Sequence, residues 1–269
     1  MLPKTNALPL NDEVVLMHPQ VVRLTPPRLS EVDVFATDVQ AWEVQDVPLA
    51  QPAEVATFAT VKRREEHLSG RWLLGQALKR WGVDDLSVLE VVRDEHRAPS
   101  LAYIHGVWKR TPLPNISIAH SEGKVFVALV DERLSVGFDA EPLERTLAEN
   151  AYDMMAKGEE LERLRALPSH VFQAWTGKEA VQKCLGLGMH LNPRHIQIPI
   201  GTDYTDISIE NSKIKLDYWH EFGYHCSLAM GPAKAVIPTP EDLLLDATRS
   251  AMESDPDWGV GCKTTRKGA

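Results

Sequence analysis

The chain has 269 residues, 43% of them hydrophobic and 25% charged, with a formal net charge of −9. That length suits one large or two modest domains, and the composition is that of an ordinary globular protein. Split before Ser135, both parts are acidic, 15 Lys and Arg against 18 Asp and Glu, then 14 against 20, so a broad nucleic-acid-binding face is not expected.

Residues 1–30 hold Pro3, Pro9, Pro19, Pro26 and Pro27 and read as an extended arm. Val32–Glu43 reads as a strand. Pro52 opens a helix running to about Trp81, with Gly82 as its stop. Leu86–Val92 is a strand, and Asn115–Ile118 with Lys124–Val130 form a hairpin. Ser135–Phe138 is a strand leading to two acids. A short helix spans Glu159–Leu167, and a long one, Val171–Leu185, is ended by Gly186-Leu187-Gly188. His195–Ile200, Asp206–Glu210, Lys213–His220 and His225–Met230 read as strands. Beyond Gly231 comes a short helix from Glu241 to about Met252, then a Gly- and Lys-rich tail from Asp255 that is expected to be mobile.

Cys184, Cys226 and Cys262 are odd in number and form no CxxC, which argues against zinc. They fit free thiols, Cys184 and Cys226 buried, in a reducing cytoplasm. No span approaches the ~20 apolar residues of a membrane helix, and the start, broken by Pro3 and Pro9, shows no signal-peptide pattern. There is a faint internal repeat. Trp72 and Ala77 precede Trp175 and Ala180 by 103 positions, and His120 and Gly123 precede His220 and Gly223 by 100. The expected fold class is α+β, two similar halves (31–134 and 135–232) about a pseudo-twofold axis, with a C-terminal extension at 233–269. Such a duplication leaves a cleft between the halves.

Two segments carry chemistry. In Trp175-Thr176-Gly177-Lys178-Glu179-Ala180-Val181-Gln182-Lys183, Glu179 and Lys183 share a helix face. In Val136-Gly137-Phe138-Asp139-Ala140-Glu141 the acids are two apart, which puts both on one face of an extended segment. Each pair alone has an ordinary reading, a solvated helix pair or a polar strand end before Pro142. Together, three carboxylates converging with a lysine suit a hard divalent cation holding a polyphosphate. No GxxxxGK[ST] loop and no GxGxxG after a strand is present, so other Mg2+-dependent nucleotide enzymes lack support.

The joint pattern resembles the signature of the 4′-phosphopantetheinyl transferases, in particular the monomeric surfactin-type group. Asn115-Ile116-Ser117-Ile118-Ala119-His120-Ser121 resembles the family's Ser-His-Ser segment, Gly70-Arg71-Trp72-Leu73-Leu74-Gly75 its first-half helix, and His96-Arg97-Ala98-Pro99 its basic-Pro turn. Met154-Met155-Ala156-Lys157-Gly158-Glu159-Glu160 resembles the segment before the Trp-Lys-Glu motif. The resemblance spans about residues 55–232 and implies the same pseudodimeric fold.

It further implies transfer of the phosphopantetheine arm of coenzyme A to a serine hydroxyl of an apo acyl or peptidyl carrier protein. Asp139, Glu141 and Glu179 would be Mg2+ ligands, with Asp139 at the turn out of its strand and Glu179 alternatively a base toward the serine. Lys183 would stabilise the leaving group, and Lys178, facing about 100° away, would reach a phosphate at the cleft edge. His120, Arg71, Arg97 and Lys62 or Arg63 would bind coenzyme A, Arg being suited to bidentate phosphate contact. Ala119 stands where the family often has Ser, so one hydroxyl contact is in doubt. Trp72 and Trp175 read as core anchors, and His18, His67, His190 and His195 as incidental. Leu185, Leu187 and Met189 are candidates for a carrier-docking patch or for core. The alternative to an active transferase is a non-catalytic module of the same fold binding coenzyme A or a carrier protein.

Overall fold

The chain alternates its strands and helices so that two long helices each find a sheet to cover. The computed structural model describes residues 19–107, 110–209 and 211–234, and beyond them Leu244, Ala247, Thr248 and Ser250. The elements are β1 (Val22–Leu24), β2 (Asp33–Asp38), α1 (Pro52–Val55), α2 (Val61–Trp81), β3 (Leu89–Arg93), β4 (Pro99–Tyr103), β5 (Asn115–Ser121), β6 (Lys124–Val130) and β7 (Leu134–Pro142). They continue with α3 (Glu149–Met155), α4 (Gly158–Ala166), α5 (Val171–Cys184), β8 (Tyr204–Ile209), β9 (Ser212–Glu221) and β10 (Tyr224–Pro232). The order β1-β2-β6-β5 makes one antiparallel sheet and β7-β10-β9-β8 another, with β3 and β4 as a separate hairpin. Mixed helix and antiparallel sheet is the expected α+β class.

Alternation assigns each face. On β6, Phe126, Ala128 and Val130 point between the sheets, where they meet Val136, Phe138 and Ala140 of β7 and Leu228 of β10. Val125, Val127 and Leu129 point outward under α2. In the second sheet Ile207, Ile214, Leu216 and Ala229 pack under Ala180, Val181 and Cys184 of α5. The layers therefore run helix, sheet, sheet, helix, a period-2 pattern read on both faces.

Helix α2 starts at Thr60, whose hydroxyl accepts the Arg63 amide, and stops at Gly82, left-handed at φ 99, the stop that the sequence predicts. Helix α5 presses on β7 at Gly137. A Cβ there would stand 1.9 Å from the Ala180 carbonyl oxygen, so only glycine lets helix and strand approach this closely.

Several expectations are corrected. The predicted helix from Pro52 breaks between α1 and α2, because Thr60 is extended and caps a new start. The strand predicted at Val32–Glu43 ends at Asp38: the Val39 amide makes a last bond to the Gly123 carbonyl (2.7 Å), and Gln40 then turns to α2. There the Gln40 amide donates to Ser69 Oγ (3.0 Å) and the Ser69 hydroxyl to the Gln40 carbonyl (3.2 Å). His195–Ile200 forms no strand. The Pro193 and Ile196 carbonyls accept from Lys178, and the Ile198 amide donates to Glu160. Strands β1 and β4 and helix α3 were not expected. The arm folds β1 onto β2, then crosses to the other sheet, where the Thr25 amide donates to Glu221 (2.9 Å) and the Arg28 amide to Asp217 (2.8 Å). Residues 1–18 and the tail from Asp255 lie outside the described residues; of the predicted 241–252 helix, the four described residues are helical. No helix among the described residues is long and apolar enough to cross a membrane. Cys184 and Cys226 are buried free thiols, as expected.

Candidate functional site

Strand β7 runs through Asp139 and Glu141 to Pro142, so Asp139 lies within the strand, where a turn had been expected. Residues 136, 138 and 140 fill the core between the sheets, which leaves 137, 139 and 141 on the face under α5. On α5 nearly every side chain is buried, and Trp175, Glu179 and Lys183 form its half-open stripe. Their spacing of four puts them on one line, and that line overlooks the acids of β7.

Lys183 Nζ donates to Asp139 Oδ1 (2.6 Å) and to the Phe138 carbonyl (3.1 Å). Asp139 is 6% exposed, and its Oδ2 is buried with no partner. Burial pushes its pKa up to about 7; Lys183 opposes that, and Glu179 and Glu141 add to it. Glu141 Oε2 accepts from Ser121 Oγ and from Arg145, each at 2.5 Å. Across the same seam the Phe138 amide donates to Ser117 Oγ (3.0 Å). The edge of β7 is thus held to β5 by two serines rather than by a ladder.

Beside these acids lies a cleft of about 250 Å3, lined by α2, the turn after β3, β5 and the C-terminal end of α5. It brings together Arg63, Arg71, Arg97, His120 and Lys183 of the expected set. Arg71 is 2% exposed. It pairs with Glu54 at 3.4 Å while its Nε and Nη1 have no partner. Burial lowers its pKa to about 10, so it stays charged at neutral pH. A buried guanidinium with two unmatched donors is a ready anion receptor. Arg97 sits at φ 66, a left-handed angle uncommon outside glycine. The turn is held by Asp94 Oδ1, which accepts the His96 and Ala98 amides at 2.9 and 2.8 Å.

Two expectations on this set are corrected. Lys178 turns away from the cleft, 1% exposed, and its ammonium donates to Glu160 (2.7 Å) and to the Met155, Pro193 and Ile196 carbonyls. With its donors engaged in the interior it has no reach to a ligand. Lys62 is not among the residues that line the cleft; it is largely exposed, 3.9 Å from the lining Glu66. The cleft also holds residues outside the expected set. His67 and Arg93 line it, though His67 reads as incidental in the sequence; its place one turn before Arg71 on the same helix was the available signal. His190 packs against the cleft-lining His96 with its ring tilted by 46° (4.6 Å between centroids). Of the candidate patch, Leu185 is core and Met189 is exposed.

The donor set suits Mg2+ in kind. Glu179 and Glu141 both act on the Asp139 carboxyl, whose unpartnered, buried Oδ2 is an oxygen that a cation would satisfy. As the side chains stand, Lys183 and Arg145 occupy that charge, and no three His, Cys, Asp or Glu among the described residues are grouped closely enough to hold an ion.

Residues 135–229 match the family model described as the 4′-phosphopantetheinyl transferase superfamily. The match begins one residue into β7 and takes in Asp139, Glu141, Glu179 and Lys183. It supports a transferase of that superfamily and phosphopantetheine transfer in general terms. A comparison with curated proteins finds no match.

Proposed function

We infer that the protein is a surfactin-type holo-carrier-protein synthase, moving 4′-phosphopantetheine from coenzyme A to a serine of an apo acyl or peptidyl carrier protein. The observation that carries this is the junction of a cation-lined cleft with a carboxylate cluster at Lys183, whose ammonium touches Asp139 and also lines the cleft. The family match over the acid-bearing half supports it.

In the reaction the serine oxygen attacks the pantetheine-side phosphorus, and the phosphoanhydride bond breaks. The serine proton leaves to a base, and adenosine 3′,5′-bisphosphate departs. Such transfer depends on positioning and charge neutralisation. Arg71, Arg97, Arg63 and His120 hold the nucleotide phosphates in the cleft. Lys183 faces the charge that develops on the departing oxygen. Glu179, on the open stripe of α5, accepts the serine proton directly or through water. Asp139, Glu141 and Glu179 would hold Mg2+, which when bound supplies neutralisation of the pyrophosphate charge. The division at residue 134/135, the pseudo-twofold relation of the halves and a monomeric cytoplasmic protein belong to the same proposal. The like strand orders β2-β6-β5 and β7-β10-β9 support the second.

The test is incubation with coenzyme A, Mg2+ and several apo carrier proteins, followed by mass spectrometry of the carriers. A gain of one phosphopantetheine group, lost in Asp139→Ala and Glu179→Ala, is the expected result. Tight coenzyme A binding with unmodified carriers would overturn it in favour of a binding module.

A further inference from the structure

Glu66 is the carboxylate that faces the cleft from α2 amid its cations, and it is 7% exposed. Its oxygens lie 3.5 Å from His120 Nδ1, 3.5 Å from Arg63 and 3.9 Å from Lys62. On the other side of the imidazole, an Arg63 N–H meets His120 Nε2. Guanidinium has no acceptor, so Nε2 must take that hydrogen bond, and in the neutral ring the proton sits on Nδ1, toward Glu66. Two groups from one helix turn therefore fix both nitrogens of a histidine on β5.

We propose that Glu66 is the positioning residue for His120: it keeps the proton on Nδ1, turns Nε2 into the cleft, and serves as counter-ion when the imidazole becomes charged against a bound phosphate. In the free protein Arg63 occupies Nε2. In the complex an anionic phosphate oxygen takes that place, Nε2 gains a proton from solvent, and Arg63 is released to a second oxygen of the ligand. The electrostatics agree. Burial lowers the His120 pKa, Arg63 and, more weakly, Lys183 of α5 and Lys62 lower it further, and Glu66 raises it. Removing the Glu66 charge leaves those cations unopposed, so imidazolium forms only at lower pH.

This rests on the reading of the cleft as a coenzyme A site, so the probe is adenosine 3′,5′-bisphosphate bound to the full chain, by calorimetry from about pH 5.5 to 8, the imidazole range. Wild-type affinity is expected to fall as pH rises. Glu66→Gln moves that fall to lower pH and weakens binding about five-fold near neutrality, the scale of a part-exposed charge pair. His120→Gln removes the fall, and adding Glu66→Gln to it costs little more. NMR of histidine-labelled wild-type protein shows neutral His120 as the Nδ1–H tautomer. An Nε2–H tautomer, a Glu66→Gln profile superimposable on wild type, or additive losses in the double variant would overturn the inference alone. Wild-type protein that binds no bisphosphate at any pH would overturn the proposed function and this inference with it.

Discussion

The two long helices occupy like places, each lying on the outer face of its own sheet, yet they bring different charge to the seam. Helix α2 delivers Arg63, His67 and Arg71, with Glu66 among them, and buries Arg71 with donors to spare. Helix α5 shows the cleft only Gln182 and Lys183 near its end, keeps Glu179 on its half-open stripe one turn earlier, and spends its other lysine on the interior. The hairpin tips repeat the contrast. Glu122-Gly123 and Phe222-Gly223 are both left-handed pairs (φ 41 and 78, 56 and 80), which suit a two-residue turn. The histidines two residues before these pairs part ways. His120 faces the cleft beside Arg63, whereas His220 Nε2 lies 2.8 Å from the Tyr218 hydroxyl and 3.0 Å from His225 Nδ1. The cations of α2 and the acids of β7 thus stand on either side of Lys183, which lines the cleft and also binds Asp139.

The largest expected effect breaks the second half alone. Gly137→Ala drives a methyl into the α5 backbone and is expected to cost at least about 3 kcal/mol, read as lost soluble protein or a collapsed melting temperature. Gly70→Ala on α2 meets only the Ile118 side chain at 3.3 Å, and gains helix propensity, so its change stays within about 1 kcal/mol. Next comes the pair of lysines on α5. Lys178→Met strands the buried Glu160 carboxylate and is expected to lower stability by about 3–5 kcal/mol in denaturant titration. Lys183→Met, whose side chain is 30% exposed, leaves a buried Asp139 carboxyl that can take up a proton, so it costs less than Lys178→Met, about 1–2 kcal/mol, while carrier modification slows about 100-fold or more.

A smaller effect concerns pH. Burial pulls the His225 pKa down to about 4, with His220 adding to it. The unfolded chain, with the ordinary value near 6.5, binds the proton first, so stability is lost as pH falls from there toward about 4. His225→Phe, beside the stacked Phe172, is expected to flatten that part of the acid limb in pH-dependent unfolding. The smallest effect sharpens the hairpin contrast: His220→Gln leaves adenosine 3′,5′-bisphosphate affinity within about two-fold, whereas His120→Gln lowers it about ten-fold, one charge-assisted hydrogen bond.

Much of this was legible in the residues themselves. The alternation around Gly137 assigns Phe138 and Ala140 to one face and Asp139 and Glu141 to the other, and Gly82 marks the end of α2. Other features depend on partners far along the chain. Lys178 reads in the sequence as a phosphate-reaching lysine at the cleft edge, and only its distant acceptors, Glu160 and the carbonyls of 155, 193 and 196, make it interior. Those bonds also explain why the apolar stretch after His195 forms no strand, since its backbone is already engaged by side chains. His67 carries no metal-ligand spacing, and its importance comes from standing one helical turn before Arg71 in the folded cleft.

The serine contact at Phe138 has a practical consequence. That amide points away from the neighbouring strand of its own sheet and is protected by a hydroxyl borrowed from the other sheet. Its exchange with deuterated solvent will therefore clock the parting of the two sheets as a single signal, without label or substitution.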